Sequence, residues 1–381
     1  MKLVLTAEQR ELRAVFAELF TQKCPASLVR ELKRPESDGF PAELWTALAA
    51  TGALGLPFAH GYGGQGAGLF ELGLFFTEAG AALCPSVVYS TLLYGLAVDR
   101  LGPPRHRDAY LPALCAGELV ATVAAWNPSD AADLRPRLRA THGSDGWRLS
   151  GGLDFVANAE RADVVLVTAE EETSGTGPGR TLGFVVRPGG PGWSAEPLRT
   201  IAADKQSRVR LTGYQVDDDA VLAGRDGRGL DPADLGWVAE AAVALQCAEM
   251  FGGAVAALDR TVEYVMTRHQ FDRPIGSFQA VQHHVADIRI ALDGARLAAY
   301  SALWWLAQGA CATRRVAVAK MQCSEAYKWA TLTCHQLQGG MGYVRETDLH
   351  LWSERAKVTE LQGGAADVAA RWLEREIGLV G

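Results

Sequence analysis

Several absences bound this 381-residue sequence before any motif is considered. There is no CxxC pair: the seven cysteines, at 24, 84, 115, 247, 311, 323 and 334, are scattered and odd in number. That distribution fits free, mostly buried thiols in a reducing compartment. There is no excess of basic residues. A net charge of −7 gives no electrostatic reason to look for nucleic acid or an anionic membrane. The apolar run in Met1-Lys-Leu-Val-Leu-Thr6 is too short for a signal peptide. The most apolar long stretch, Val238 to Met266, carries Glu240 and Glu249 and so reads as a buried core helix and not a membrane span. The expectation is a cytoplasmic protein without membrane insertion or a nucleic-acid partner.

Two motifs lack the context they need. Gly61-Tyr-Gly63-Gly64-Gln-Gly66 satisfies GxGxxG, but no β-rich strand leads into it and Pro57 interrupts the approach. No acidic residue follows at about twenty positions, as a dinucleotide fold requires. His283-His284-x-x-Asp287 hints at a metal, yet adjacent histidines diverge by about 100° on a helix and one His with one Asp falls short of a site. No metal is expected.

What is present is an ordinary globular composition, 48% hydrophobic and 21% charged, in a chain long enough for two or three packed units. Thr6-Ala-Glu8-Gln9 has the form of a capping box, opening a helix with Leu12, Val15, Phe16, Leu19 and Phe20 on one face. Helical patterns recur around Glu43–Thr51, Leu69–Ala82 and Leu92–Leu101. From about Glu118 the period changes to short β-branched runs: Val120–Ala125, Leu134–Thr141, Trp147–Ser150, Asp163–Thr168, Thr181–Val186 and Ser207–Leu211. His142–Gly146 and Thr173–Gly179 are the turn clusters between them. Gly224–Gly229 and Pro232 mark the exit, after which the pattern is helical again. The spacing predicts a mainly α chain with a central antiparallel β domain: a helical amino-terminal domain (1–117), a middle β domain (118–230) and a carboxyl-terminal helical domain (231–381).

The richest stretch is Arg268-His-Gln-Phe271-Asp272-Arg273-Pro274-Ile275-Gly276-Ser-Phe278-Gln279, which separates two long helical patterns. A cation, two aromatics and an amide around a Pro-Ile-Gly turn suit a ligand edge, and equally an ordinary helix–helix turn. The stretch resembles the RxxFGxPIxxFQ signature of the acyl-CoA dehydrogenase family, with Asp272 where that family usually has Gly. A second motif, Gln336-Leu-Gln-Gly339-Gly340-Met-Gly342-Tyr343, resembles its QxxGGxG. The likeness covers essentially the whole chain. It implies a carboxyl-terminal four-helix bundle that forms an oligomer core, FAD as cofactor, and oxidation of an acyl thioester at Cα–Cβ, with the thioester on coenzyme A or on a carrier protein.

Such chemistry needs a carboxylate within reach of Cα and a flavin ring beside the same bond. The family's usual base lies in a YEGT segment, which aligns here with Gln362-Gly363-Gly364-Ala365; Gly363 takes the Glu position and cannot accept a proton. The position some relatives use instead aligns with Ala242. On a helix at about 100° per residue, Gln246 and Glu249 fall on roughly the Ala242 face, whereas Glu240 is about 160° away. Glu249 is therefore the one displaced-base candidate, about 10 Å along the axis; it could equally be an ion-paired or capping carboxylate. Without the resemblance, Arg268 and Arg355 would read as surface cations, and Trp304, Trp305 and Trp329 as core or interface packing.

The resemblance also implies that Arg268, Phe271, Gln279, Gln336, Gly339 and Gly340 hold the ADP half of an FAD bound mainly to a neighbouring subunit. The residues holding the ring and pyrophosphate within the same subunit match poorly. TEPxxGSD appears as Trp126-Asn127-Pro128-Ser-Asp-Ala-Ala132-Asp133, and the Thr of WIT falls on Ala157 in Phe155-Val-Ala-Asn158. Three readings follow. The chain is a dehydrogenase subunit without its own base, assembled with a homologous base-bearing partner. Alternatively it is a homomeric flavoenzyme, a homotetramer, using Glu249 or running an oxygenase or reductase reaction. Lastly, it is an inactive scaffold.

Overall fold

The computed structural model describes residues 4–172, 179–224 and 226–379. The first three residues of the opening segment and all but the last residue of the 173–179 turn cluster lie outside the described residues. Helices α1 (Ala7–Lys23), α2 (Ala26–Leu32), α3 (Ala42–Ala50), α4 (Leu69–Ala81), α5 (Ser86–Leu101) and α6 (Pro104–Cys115) come first. Strands β1 (Ala121–Ala124), β2 (Leu138–Gly143), β3 (Gly146–Ala157), β4 (Val164–Glu171), β5 (Thr181–Val186), β6 (Trp193–Leu198), β7 (Gln206–Val216) and β8 (Val221–Leu222) follow. Then come α7 (Pro232–Thr267), a minimal hairpin of β9 (His269–Gln270) and β10 (Arg273–Pro274), and helices α8 (Gln279–Leu306), α9 (Thr313–Gln338), α10 (Leu349–Leu361) and α11 (Ala366–Glu376).

Packing groups the chain into two compact units, Met1–Val29, Leu69–Cys84 and Glu240–Gly381 in one, Arg30–Gly68 and Pro85–Ala239 in the other. This grouping follows contacts, whereas the sequence boundaries at 117/118 and 230/231 follow element type.

In the first unit, α1 opens with the expected capping box: Thr6 Oγ1 accepts from Gln9 N–H, and Gln9 Oε1 from Thr6 N–H. Phe16 and Phe20 bury against Phe75 of α4, with ring centroids 5.1 and 5.3 Å away. Each such fully buried side chain contributes roughly 1.5–3 kcal/mol of transfer free energy. α4 and α7 cross at two glycines: a Cβ on Gly80 would lie 2.0 Å from the Glu249 carbonyl oxygen, and one on Gly252 1.7 Å from that of Thr77. Only hydrogen side chains allow that approach. Glu240, on α7, does for α9 what α9's own Ala312 cannot: its carboxylate accepts from Ala312 N–H (2.6 Å) and Thr313 Oγ1 (2.5 Å), capping the helix start. α7 is, among the described residues, the one helix long and apolar enough to cross a membrane, and 89% of its most apolar window is buried in the fold, as in a core helix.

In the second unit the strands form one sheet in the order β6-β7-β3-β2-β4-β5-β8, with β1 also paired to β4. The expected middle β domain is there, but its sheet is mixed. β1 lies parallel to β4 from Ala121↔Val164 to Ala124↔Val167, and β2 continues along the same edge, parallel again, from Leu138↔Ala169. Two successive segments heading the same way share one edge of β4, which a turn-by-turn reading of the sequence cannot foresee. The core is Leu138, Ala140, Leu149, Val165, Val167, Phe184 and Leu211 with their neighbours. β6 was not anticipated because Trp193-Ser-Ala-Glu-Pro197-Leu carries a proline, which an edge strand tolerates. α7 also starts earlier than Val238. Pro232, read as marking the exit from the β domain, occupies the first turn of α7, while Asp231 Oδ1 accepts from Ala233 N–H at 2.8 Å.

Candidate functional site

The Arg268–Gln279 stretch is a tight turn closing one end of the helical unit. His269 pairs with Pro274 and Gln270 with Arg273, leaving Phe271 and Asp272 as a two-residue loop. Both are left-handed, at φ 54° and 58°, the mark of a type I′ turn, which normally takes glycine or asparagine. Ile275 N–H closes the turn on the Arg268 carbonyl at 2.8 Å. The Arg273 guanidinium stacks 4.1 Å from the Phe278 ring centroid. This geometry turns Phe271 fully outward, 86% exposed, and leaves Arg268 exposed just past α7 and Gln279 exposed at the start of α8, whose first turn has no side-chain cap.

The second motif reaches the same end. α8 and α9 form a helical hairpin in which Cys323 Sγ meets the Ala295 carbonyl at 3.5 Å. Sixteen residues outward along each helix (295 to 279, 323 to 339) bring Gln279 level with Gly339. Gln338 Nε2 donates to Thr261 Oγ1 (2.9 Å), fixing this end of α9 to α7. Gly339 adopts φ 60°, ψ −135°, which other residues avoid, and a Cβ at Gly339 or Gly340 would meet nothing within 4 Å. His335 holds the turn below by bonding the Gly342 carbonyl and Ser353 Oγ. Arg268, Phe271, Gln279, Gln336, Gly339 and Gly340 are thus brought to one exposed end. An outward guanidinium, uncapped helix N–H groups and open space before two glycines fit an anionic dinucleotide.

The base region tells a different story. Gly363 and Gly364, which the resemblance aligns with the YEGT segment, take φ 72° and 120°, so this turn has no side chain at 363 or 364 and a backbone that favours glycine. Ala242 is buried on α7. Glu249 is 7% exposed, and Arg355 Nη1 donates to its Oε1 at 3.0 Å while Nη2 donates to the Cys84 carbonyl at 3.2 Å. Of the readings open for Glu249 (base, ion-paired or capping carboxylate), the geometry is that of the ion pair. Arg355 is accordingly no surface cation: its side chain is 13% exposed, because a buried carboxylate needs a buried countercharge. Sequence reasoning missed Lys320. It is fully buried, and its Nζ donates to Gln246 Oε1 (2.9 Å), the Thr359 carbonyl (2.6 Å) and the Gln362 carbonyl (2.7 Å). Burial pulls its pKa down to about 8. Gln246 Nε2 completes the network at Gln362 Oε1, 2.7 Å. The available signal was a lysine on the stripe Val316, Ala319, Cys323 and Tyr327, all buried.

In the sheet-bearing unit, the 126–133 loop satisfies itself. Ser129 N–H donates to Asn127 Oδ1 (3.0 Å), Ala132 N–H to Asp130 Oδ1 (3.1 Å) and Asn127 N–H to the Asp133 carbonyl (3.0 Å). The Asp133 carboxylate takes Arg135 (2.7 Å), Arg137 (2.9 Å) and Asn127, and the Arg135 hydrogen bond above all lowers its pKa to about 2. A loop carrying two carboxylates with these N–H groups already engaged does not fit a pyrophosphate. Phe155 and Asn158 are left-handed (φ 54° each), and Asn158 Nδ2 donates to Ser90 Oγ at 3.1 Å and Ser86 Oγ at 3.3 Å, inside the unit. In the GxGxxG loop, Gly63, Gly64, Gln65 and Gly66 N–H all donate to backbone carbonyls, leaving no phosphate cradle. Among the described residues no cluster of three or more metal-ligating side chains occurs.

Residues 6–118 match the model of the acyl-CoA dehydrogenase N-terminal domain and 241–378 that of the C-terminal domain. Acyl-CoA dehydrogenase FadE27 of Mycobacterium tuberculosis is 30% identical over 387 residues, covering 99% of each protein. Among solved structures, a variant of the Tcur3481-Tcur3483 steroid ACAD matches at 30% identity and TM-score 0.85 over 98% of each chain. The ChsE4-ChsE5 complex of Mycobacterium tuberculosis matches at 28% and 0.87 over 100% of each. The chain belongs to the acyl-CoA dehydrogenase family, whose cofactor is FAD.

Proposed function

We propose that this chain is an FAD-linked subunit of an acyl thioester dehydrogenase that does not carry the proton-abstracting carboxylate and works with a homologous, base-bearing partner. The observation that carries this reading is the contrast between two sets of residues. Arg268, Phe271, Gln279, Gln336, Gly339 and Gly340 stand exposed and fit the ADP half of a dinucleotide. At 363 the turn has no side chain, and Glu249 is neutralised by Arg355.

FAD, when bound, supplies a hydride acceptor for the Cβ–H bond. This chain's part is binding: Arg268 offers charge to the phosphates, and the glycine pair lets the nucleotide approach the backbone. The proton at Cα needs a carboxylate from another chain. Two structural relatives, the Tcur3481-Tcur3483 protein and the ChsE4-ChsE5 complex, are described under paired subunit names, which supports an unequal assembly. We place the thioester on coenzyme A, with a carrier protein as the second possibility, and the chain in the cytoplasm.

The test is to purify the chain alone and co-expressed with a homologue carrying the YEGT-type glutamate, then measure native mass and flavin content. A mixed oligomer that holds flavin where the lone chain holds little supports the reading. A homo-oligomer with one flavin per chain, fully reduced by an acyl-CoA, refutes it. The homomeric reading with Glu249 as base is disfavoured by the Arg355 pair. The scaffold reading predicts no flavin in either preparation.

A further inference from the structure

A lysine ammonium withdrawn from water needs a reason, because desolvation of the charge costs several kcal/mol unless every donor is used. Lys320 uses all three. Two of its acceptors, the Thr359 and Gln362 carbonyls, lie at the carboxyl end of α10, where backbone C=O groups are left without helical partners and the helix dipole is negative. The third, Gln246 Oε1, belongs to a side chain whose amide also holds Gln362 Oε1. Gln362 is therefore gripped by its main chain and its side chain at once. The next residues are Gly363 and Gly364, both in left-handed or positive-φ conformations, with Gly364 N–H donating to the Leu361 carbonyl at 3.2 Å. Left to itself, a glycine pair is the most freely rotating dipeptide in a chain.

We propose that Lys320 is a positioning residue for the Gln362–Ala365 turn. Its ammonium clamps the end of α10 to α9 and, with Gln246, fixes the glycine turn as a rigid shelf without side chains. This deepens the proposed function and rests on it only in naming the turn as the place where relatives carry their base. The clamp ties Gln362, which aligns with the family's Tyr position, by its main chain and its side chain together. It also implies that the loss is built into the backbone: a glutamate at 363 must adopt φ near 72° or break the clamp.

The experiment is peptide-resolved amide hydrogen exchange on the full chain, comparing wild type with Lys320→Met and the milder Gln246→Leu. Lys320→Met is expected to speed exchange in 361–366 about tenfold while the middle of α7 and α8 keeps its protection. Gln246→Leu, which keeps both Lys320–carbonyl hydrogen bonds but removes those of Gln246 to Lys320 and to Gln362, is expected to give a smaller acceleration confined to the same peptide. Unchanged exchange in 361–366, or a loss of protection spread evenly over the helical unit, overturns the proposal and makes Lys320 a general core residue. If Lys320→Met does not fold, Gln246→Leu decides alone, because it is predicted to fold. Neither flavin nor a partner enters the readout, so failure here is separate from failure of the functional reading.

Discussion

Asp272 and Phe271 stand in left-handed conformations that cost non-glycine residues about 1 kcal/mol each. Asp272 sits where the family usually has glycine; relief of this strain is partly offset by the greater unfolded-state freedom of glycine, so Asp272→Gly should raise stability by only about 0.5 kcal/mol, seen as a slightly higher urea midpoint. No gain would mean that the aspartate side chain compensates locally. Glu249 and Arg355 give the complementary case. Removing one partner of a buried ion pair leaves an unpaired charge, so Arg355→Leu should destabilise by about 3–5 kcal/mol. Glu249→Gln should also cost stability, yet leave the rate of the assembled complex unchanged; an abolished rate with unchanged stability would make Glu249 the base after all. The sequence showed Glu249 on a buried helix face but could not show Arg355 beside it, since the two are 106 residues apart and meet only through the packing of α7 and α10.

At the scale of elements, the α4–α7 crossing depends on Gly80 and Gly252. Gly252→Ala places a methyl 1.7 Å from a backbone oxygen, and separating the helices should cost at least 1–3 kcal/mol in a denaturation series. The 126–133 loop makes a prediction in pH. The folded-state pKa of Asp133 lies near 2, below its ordinary 3.8, so the unfolded chain binds the proton first as pH falls. The stability it contributes is complete above about pH 4 and is lost toward pH 2, where the difference between wild type and Asp133→Asn should shrink. A constant difference across that range would contradict the network. Helices with a clear apolar face, such as α1 and α4, and strands such as Thr181–Val186 were legible from their period alone. What was not legible was pairing: β1 and β2 sharing one edge of β4, the proline-bearing edge strand β6, and the Lys320 network. The first and last are set by residues far apart in sequence, which local spacing does not encode, and β6 was hidden by its own Pro197.

For the whole molecule, the two signature motifs were readable because each is short and fixed by its own backbone: a type I′ turn at Phe271-Asp272 and a glycine turn at 339–340. The structure adds that antiparallel α8 and α9 bring both to one end, with Phe271 and Tyr343 more than three-quarters exposed. Aromatic side chains so placed suit contact with another molecule. The proposed division of labour therefore hangs on what the chain can do unaided. The decisive measurement is the visible absorbance of the purified chain, reconstituted with FAD and titrated anaerobically with an acyl-CoA. The prediction is that the flavin band stays unbleached for the chain alone and bleaches once a base-bearing homologue is co-assembled. Stoichiometric bleaching by the chain alone would contradict the absence of a working base and, with it, the division of labour.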